Sequence, residues 1–372
     1  MERRKLDKLG IEISLLGFGC MRFPTKDGKI DEERAQKMLD DAIAAGVNYI
    51  DTAFPYHDGE SEPFVGRALK KYDRNSFYLA TKLPLWNVKE RADGIRIFNE
   101  QLERLQTDYI DFYLLHAMNK DRFREIRDMG VIDDMLELQK QGKIKYFGFS
   151  FHDDYAGFEE IINYRDWDFC QIQYNYMDTE EQAGDKGYQL CVEKDIPIII
   201  MEPVKGGALA SYSEDVTAMF KEVRPDKSIA SWAFRWLGTK PQIKVILSGM
   251  TTEEQVADNL NTFHHFEPLT EKEQETVEQV VKKVKSRINN GCTACRYCLP
   301  CPFGVEIPRN FAIWNKYGMY GNAEEAKSRY NGMKPEEKAS MCKECGACEK
   351  VCPQHLPIRE HLKQVAKTME NL

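Results

Sequence analysis

The stretch Asp31–Ala53, DEERAQKMLDDAIAAGVNYIDTA, contains one helix followed by one strand, and this pairing sets the fold. Asp31 is suited to begin the helix, because a short carboxylate accepts hydrogen bonds from the free N–H groups of a first helical turn. Gly46 ends it, and the β-rich run Asn48–Ala53 follows. Four apolar residues share one helical face: Met38, Leu39, Ala42 and Ile43.

The same alternation of helix and strand continues from about residue 10 to about residue 265. Val88–Leu105 and Ile132–Gln141 are further predicted helices. Eight strands that alternate with eight helices over about 250 residues are typical of an α/β fold of the (β/α)8 TIM barrel type. The predicted strands are Ile13–Cys20, Asn48–Ala53, Phe77–Lys82, Tyr109–His116, Ile144–Ser150, Phe169–Asn175, Pro197–Val204 and Lys244–Gly249.

A doubly wound nucleotide-binding sheet is the rival architecture, since it also alternates strands with helices. Its glycine fingerprint should follow the first strand. The segment there is Gly17-Phe18-Gly19-Cys20-Met21-Arg22, which has Arg in place of the third glycine. The barrel is therefore the favoured interpretation.

Length and composition narrow the class of protein. The 372 residues suggest one large domain with an appendage, and 42% hydrophobic residues can form a sizeable core. A formal charge of −8 without a long basic block argues against nucleic acid as a partner. The charged start and the shortness of the longest apolar run, Ile196–Met201, argue against a signal peptide and a membrane span. We therefore expect a cytoplasmic protein with no membrane partner.

Four titratable residues fall at the carboxyl ends of consecutive strands, where barrel enzymes place their chemistry. Asp51 ends the second strand and Tyr56 follows it, while Lys82 and His116 end the third and fourth. Taken singly, each has a structural explanation, but together they indicate a site. The Lys82 ammonium should lower the pKa of Tyr56 from about 10, Asp51 would hold Lys82, and His116 could donate to a substrate oxygen. Such groups can protonate an alkoxide as hydride reaches carbon, and a cofactor must supply the hydride.

The motifs that contain these residues resemble those of the aldo-keto reductase superfamily over roughly residues 5 to 265. The resemblance implies a catalytic tetrad of Asp51, Tyr56, Lys82 and His116, with Tyr56 as the general acid. The motifs are Tyr49-Ile50-Asp51-Thr52-Ala53 with Tyr56, Ala80-Thr81-Lys82, Tyr113-Leu114-Leu115-His116, Gly148-Phe149-Ser150, Gln171-Ile172-Gln173-Tyr174-Asn175 and Asp258-Asn259.

The same resemblance implies a nicotinamide coenzyme, NADP(H) or NAD(H). Ser150 and Gln171 would bond its carboxamide, Met201 would pack on the nicotinamide ring, and Asp258 and Asn259 match positions near the adenine. The segment Glu202–Leu209 resembles the family's pyrophosphate loop, where backbone N–H groups face the phosphates. Its implied coenzyme contacts are Pro203, Val204, Lys205, Gly206 and Gly207.

Some positions depart from the family pattern. Phe151 stands where an Asn is common after the fifth strand. Gly249 and Gln255 stand where family members often have Lys and Arg to bind the 2′-phosphate of NADPH, and a phosphate without such partners binds less tightly. Lys205 or Lys244 could substitute, so the choice between NADPH and NADH stays open.

Eight of the eleven cysteines crowd into the last quarter of the chain. Without a secretion signal, metal binding explains them better than disulfides. The runs are Cys292-x2-Cys295-x2-Cys298-x2-Cys301-Pro302 and Cys342-x2-Cys345-x2-Cys348-x3-Cys352-Pro353. The second matches the bacterial ferredoxin run in full, whereas the first is one residue short before its fourth Cys. Zinc is the alternative, but its sites usually pair two CxxC knuckles across a spacer.

This region resembles a ferredoxin-type domain with two [4Fe–4S] clusters, small and mostly helical. It predicts two domains, residues 1–288 for the barrel and residues 289–372 for the clusters. In two-cluster ferredoxins the fourth Cys of each run ligates the other cluster. That pattern implies one set of Cys292, Cys295, Cys298 and Cys352 and another of Cys342, Cys345, Cys348 and Cys301.

The combination predicts an NAD(P)H-dependent oxidoreductase for carbonyl reduction or alcohol oxidation of a small molecule. Phe54, Trp86 and Phe151 near the mouth suggest a partly apolar substrate. Hydride delivers two electrons and a cubane takes one, so coupling the halves requires a flavin or an electron-transfer partner, unless the clusters are structural. The alternative is a redox-sensing or electron-transfer protein whose barrel binds nucleotide with little catalysis, although an intact tetrad weighs against it.

Overall fold

The computed structural model describes residues 1 to 372, which form two compact units. The first unit comprises Met1–Leu209 and Ser228–Thr270, and the second comprises Ala210–Lys227 and Glu271–Leu372. The sequence-based division into residues 1–288 and 289–372 stays a prediction. None of the helices combines the length and the apolar character that crossing a bilayer requires.

The first unit contains a closed barrel of eight parallel strands, in which each strand pairs with its neighbours in the chain and the last pairs with the first. The predicted TIM barrel is therefore confirmed. Because a doubly wound sheet is open, the closure excludes that rival. The strands, labelled β1 to β8, are Leu16–Gly19, Tyr49–Asp51, Tyr78–Leu83, Ile110–Met118, Ile144–Phe151, Phe169–Gln173, Ile198–Met201 and Ile243–Gly249.

Helices surround this barrel and bury apolar side chains against it. The first begins as predicted, with the Asp31 side chain accepting a hydrogen bond from the Arg34 N–H, and it buries Met38 and Leu39. The helices of this unit are α1 Glu32–Ala44, α2 Ser61–Leu69, α3 Arg91–Leu105, α4 Lys120–Asp128, α5 Val131–Lys140, α6 Tyr155–Tyr164, α7 Gly184–Glu193, α9 Ile229–Gly238 and α10 Glu253–His264.

The amino-terminal end of the barrel is filled. An antiparallel hairpin of Arg3–Leu6 and Ile11–Ser14 lies there, and its Leu6 side chain belongs to one apolar cluster with Tyr49 and Phe112 of the barrel interior. The carboxyl ends of the strands are thus the end left for a ligand. A second hairpin, Thr25–Lys26 with Lys29–Ile30, follows β1.

The second unit is helical, as predicted for the region of the cysteines. Asp215 of its first helix contacts Lys283 at 2.7 Å and Arg287 at 2.5 Å, which ties that helix to the one that begins at Glu271. Its helices are α8 Glu214–Val223, α11 Glu271–Lys285, α12 Ile307–Tyr320, α13 Ala323–Asn331, α14 Ala347–Lys350 and α15 Ile358–Asn371. Short 3-10 turns of the whole chain occupy Asp7–Leu9, Tyr56–Gly59, Arg74–Ser76, Leu85–Asn87, Lys205–Gly207, Pro335–Glu337 and Ala339–Met341.

Candidate active site and cysteine cavities

Asp51 and Lys82 form a buried ion pair at the carboxyl ends of β2 and β3. Lys82 Nζ lies 2.7 Å from Asp51 Oδ1 and donates to the Thr52 carbonyl at 2.9 Å. Asp51 pairs in register with Ala80, so Lys82, two residues further along the strand, projects to the same side. Burial raises the pKa of Asp51, against the effect of Lys82. Burial acts to lower the pKa of Lys82. The attraction of Asp51 and Tyr56 outweighs burial, so the pKa of this ammonium is raised.

Tyr56 reaches the ion pair from the short turn Tyr56–Gly59. Its hydroxyl oxygen lies 3.3 Å from Lys82 Nζ. His57 and Asp58 in that turn both adopt positive φ, 52° and 53°, a strained backbone for residues with side chains. Burial raises the pKa of Tyr56 and outweighs the lowering by Lys82. The prediction that Lys82 would bring this pKa below its usual value is therefore wrong, because the sequence did not reveal how deeply the phenol is buried.

His116 completes the predicted group from β4. Its ring centre lies 6.3 Å from that of Tyr56 and 5.0 Å from that of Trp86. Burial lowers the pKa of His116 well below its usual value, and the positive charge of Lys82 acts in the same direction. Its Nδ1 atom is buried without a hydrogen-bond partner. The imidazole is thus neutral at physiological pH and can donate one N–H.

The three aromatic residues expected at the mouth have different positions. Trp86 packs beside His116, as described above, and Phe54 lies 5.2 Å from the Arg104 guanidinium carbon. Phe151 is fully buried, with its ring 5.2 Å from that of Phe158. The expectation that Phe151 faces a substrate is therefore wrong, because its side chain points to the helix layer.

The residues implied for the nicotinamide lie together on neighbouring strands. Ser150 of β5 is the register partner of Gln171 of β6. Gln171 Nε2 lies 3.7 Å from Met201 Sδ, and its Oε1 atom is buried without a partner. Ser150 Oγ accepts a hydrogen bond from the Ala117 N–H at 2.8 Å, so its own hydrogen stays available. An orphaned amide oxygen beside a hydroxyl fits the donors and acceptors of a carboxamide.

The segment predicted to bind pyrophosphate has an unusual backbone but few free donors. Glu202, Lys205 and the two glycines after it have positive φ. Lys205 Nζ contacts Asp178 at 2.5 Å, so this ammonium is already paired with a carboxylate. Four N–H groups donate to carbonyls within the loop, those of Lys205, Gly207, Ala208 and Leu209.

Arg22, which is not among the predicted site residues, lies beside the carboxyl end of β8. Lys244 is the second residue of β8, at the filled end of the barrel, so its proposed role at the mouth is wrong. Gln255 Oε1 accepts a hydrogen bond from the Thr251 N–H. Arg22 packs on Gly249, where an added Cβ would lie 2.7 Å from Arg22 Cγ, and the Arg22 side chain is exposed.

The two residues implied near the adenine lie on α10. Asn259 is buried, and its Nδ2 donates to Ser248 Oγ of β8 at 2.8 Å. Asp258 is half-buried. Asn259 thus fixes α10 to the end of β8, a structural contribution of its own.

A second buried polar group adjoins Lys82, and sequence reasoning missed it. We call it the Glu62 cluster, and it consists of Glu62, Thr81, Gln101, Arg104 and Tyr113. The sequence signal that could have indicated this cluster is Glu62, a charged residue on the buried side of the short helix α2.

The eight C-terminal cysteines line two adjoining cavities within the second unit. One cavity, of about 220 Å³, is lined by Cys301, Cys342, Cys345 and Cys348. The other is lined by Cys292, Cys295 and Cys352, and Cys298 lines both. No three metal-ligating side chains converge as the ligands of a single ion do. Thiols spread around a cavity fit the ligands of a compact cluster better than those of a single ion, and the division into two sets of four stays a prediction.

The remaining three cysteines, Cys20, Cys170 and Cys191, are fully buried in the first unit, as expected of small core residues. Cys170 Sγ lies 3.6 Å from Cys191 Sγ, and both pack in the apolar core.

Comparison with known proteins assigns both parts of the chain. Residues 15–282 match the model of the Aldo/keto reductase family. The chain belongs to this family. Residues 291–356 match the model of the 4Fe-4S dicluster domain. The predicted oxidoreductase of aldo-keto reductase type, with an iron–sulfur domain at its C-terminal side, is therefore confirmed.

Two relatives match this chain over nearly their whole length. An uncharacterised oxidoreductase of Bacillus subtilis is 28% identical over 320 residues, which are 76% of this chain and 97% of that protein. The NADH-specific methylglyoxal reductase of Escherichia coli is 26% identical, over 70% of this chain and 93% of its own.

Solved structures agree with the fold. The holo form of an aldo-keto reductase from Bacillus halodurans matches with a TM-score of 0.63 and 27% identity, over 75% of this chain and 96% of that one. A Klebsiella pneumoniae aldo-keto reductase in complex with NADPH matches at 22% identity with a TM-score of 0.61, over 76% of this chain and 96% of that one, which shows the fold alone.

Proposed function

We propose that this aldo/keto reductase reduces the carbonyl group of small molecules with NAD(P)H and, in reverse, oxidises alcohols. The observation that carries the proposal is the position of Lys82 Nζ, 2.7 Å from Asp51 Oδ1 and 3.3 Å from the Tyr56 hydroxyl. The phenolic O–H of Tyr56 thus lies beside a fixed positive charge at the open end of the barrel. The nicotinamide, when bound, supplies the hydride.

Tyr56 acts as the general acid. Burial raises the pKa of Tyr56, so the phenol is protonated at neutral pH and ready to give its proton to an alkoxide oxygen. Lys82 stabilises the phenolate that remains, and Asp51 keeps Lys82 charged and in place. His116, neutral through burial, donates its N–H to the same substrate oxygen and orients the carbonyl.

The residues around Gln171 hold the coenzyme in this proposal. Ser150, Gln171 and Met201 bind the nicotinamide end, the segment Pro203–Gly207 lies along the pyrophosphate, and α10 approaches the adenine through Asp258 and Asn259. The orphaned Gln171 oxygen supports this orientation, since a carboxamide N–H would satisfy it.

Arg22 is the proposed contact for a 2′-phosphate, because it is the exposed cation that packs against Gly249. The Escherichia coli relative is named NADH-specific, so a contact to the 2′-phosphate of NADPH needs its own test in this chain. We expect Arg22→Ala to raise KM for NADPH roughly 10- to 100-fold, the value of one hydrogen bond to a charged group, and to leave KM for NADH unchanged. Equal effects on both coenzymes would contradict this contact.

The two sets of four thiols each hold one [4Fe–4S] cluster in this proposal. Because Cys298 lines both cavities, the two sites adjoin, which suits the passage of single electrons between them. The barrel chemistry moves two electrons as hydride. We therefore propose that the clusters exchange electrons with a flavin or an electron-transfer partner. In this proposal they take no part in the carbonyl reaction.

The test is turnover of a panel of small carbonyl compounds, including methylglyoxal, with NADH and with NADPH. Tyr56→Phe should lower kcat by roughly 100- to 10,000-fold while nucleotide binding persists. Tyr49→Phe is the matched control, since Tyr49 is a buried barrel tyrosine whose hydroxyl has no partner, and its kcat should equal that of the unaltered protein. Nucleotide binding without turnover of any carbonyl would contradict the reductase and favour a redox-sensing role.

A further inference from the structure

Glu62, the second residue of α2, is a carboxylate with no exposed surface. Its Oε1 accepts hydrogen bonds from Thr81 Oγ1 and from Gln101 Nε2, each at 2.6 Å. Its Oε2 accepts from Arg104 Nε at 2.7 Å. A buried carboxylate is unfavourable unless it is paired and hydrogen-bonded, and these contacts meet that requirement for Glu62.

Two partners of Glu62 hold the backbone that bears Lys82. Thr81 directly precedes Lys82 in β3, and its hydroxyl is fixed by the carboxylate. Gln101 uses the same Nε2 to donate to the Lys82 carbonyl at 3.0 Å. The orientation of this amide is fixed in turn, because its Oε1 accepts from the Tyr113 hydroxyl at 2.6 Å.

The preceding residue of α2 fixes the neighbouring strand. Ser61 Oγ lies 2.8 Å from Thr52 Oγ1 and donates to the Cys20 carbonyl at 3.1 Å. Thr52 follows Asp51, and its carbonyl accepts from Lys82 Nζ. The first turn of α2 therefore clamps both strand ends from which Asp51 and Lys82 project.

We propose that Glu62 is a positioning residue that holds Lys82 against Tyr56 through Thr81 and Gln101. This inference rests on the proposed function, since it assigns the Lys82–Tyr56 distance a catalytic consequence. A displacement of about 1 Å in a group that supports the reaction can lower the rate about 100-fold, so a buried network is an effective means to prevent it.

The experiment compares Glu62→Gln with Asp111→Asn. Asp111 forms an equivalent buried pair with Arg74 at 2.6 Å, with 9% and 23% of the side chains exposed, against 0% and 23% for Glu62 and Arg104. It lies at the start of β4, at the filled end of the barrel. Both substitutions remove the negative charge that pairs with a guanidinium, so both should lower the melting temperature.

Only Glu62→Gln should also lower kcat, by roughly 10- to 100-fold, with KM and the Kd of the coenzyme unchanged. A kcat equal to that of Asp111→Asn would overturn the proposal. If Glu62→Gln does not fold, Tyr113→Phe replaces it, since that change removes only the hydroxyl that orients Gln101. It should lower kcat several-fold at constant KM, and an unchanged kcat would overturn the proposal.

A second readout does not depend on turnover. In protein labelled with 15N-lysine, the buried and triply hydrogen-bonded Lys82 ammonium should give a slowly exchanging NMR signal, assigned by its loss in Lys82→Met. The signal should broaden or vanish in Glu62→Gln and persist in Asp111→Asn. Its persistence in both would overturn the inference. Failure of the proposed function is distinguished, because it would abolish turnover in the unaltered protein and leave this signal intact.

Discussion

Replacing Lys82 by methionine tests the buried ion pair most strongly, because it keeps an unbranched apolar side chain of nearly the same length and removes the charge. In the variant Asp51 Oδ1 loses its ammonium partner, and Oδ2 is already buried without a hydrogen bond. Only 3% of the Asp51 side chain is exposed, so water cannot replace the lost contact. The folded variant must bury a lone carboxylate or protonate it.

Protonation sets the size of the effect. Neutralising Asp51 costs about 1.4 kcal/mol for each pH unit above its ordinary pKa of about 3.9, which gives about 4 kcal/mol at pH 7 and about 1.5 kcal/mol at pH 5. The sign follows from a folded-state pKa raised above the unfolded value, since the penalty is absent below about pH 3.9 and grows as the pH rises. The value at pH 7 agrees with the roughly 3–5 kcal/mol lost when one partner of a buried pair is removed.

Urea unfolding at pH 5 and pH 7, followed by tryptophan emission, measures this free energy. The emission reports mainly on the first unit, which contains four of the five tryptophans, Trp86, Trp167, Trp232 and Trp236. The double variant Asp51→Asn with Lys82→Met is the control, since it should lose the pH dependence. A loss below about 1 kcal/mol that does not vary with pH is the behaviour of an exposed ion pair, and it would refute the reasoning.

Two further predictions concern pH and iron. The rate of carbonyl reduction should be constant from about pH 6 to about pH 9, because burial keeps His116 neutral and Tyr56 protonated over this range. A change of rate centred near pH 6.5 in the steady-state pH profile would contradict this prediction. Cys301→Ser combined with Cys345→Ser should retain about half of the iron, since both line one cavity, whereas Cys301→Ser combined with Cys352→Ser should lose nearly all of it. Equal iron content in the two double variants would contradict the grouping of the cysteines.

The barrel and the polar group at its mouth could be predicted because both follow from local patterns. The apolar stripe of α1 and the β-rich run after it are readable over some twenty residues, and parallel strands necessarily bring their carboxyl ends together. Asp51, Lys82 and His116 end three consecutive strands, and Tyr56 lies five residues after Asp51. Their convergence therefore follows from the fold class alone.

What could not be predicted depends on depth and on contacts between distant elements. The net pKa shift of Tyr56 reverses because burial outweighs Lys82, and burial is a tertiary property. Glu62 and Gln101 are 39 residues apart and meet only when α2 packs on α3. By contrast, the position of Lys244 could be predicted, because the predicted strand begins at that residue. This places Lys244 at the filled, amino-terminal end of the barrel.

The central claim is that hydride passes directly from nicotinamide to the carbonyl carbon at Tyr56, and that the clusters take no part in this step. Reduction of a small carbonyl compound by coenzyme deuterated at the transferable C4 position tests it, with the product alcohol analysed by mass spectrometry. The account predicts one deuterium on the reduced carbon and loss of this product in Tyr56→Phe. Product that forms without deuterium would show that the electrons travel another way, and it would contradict the account.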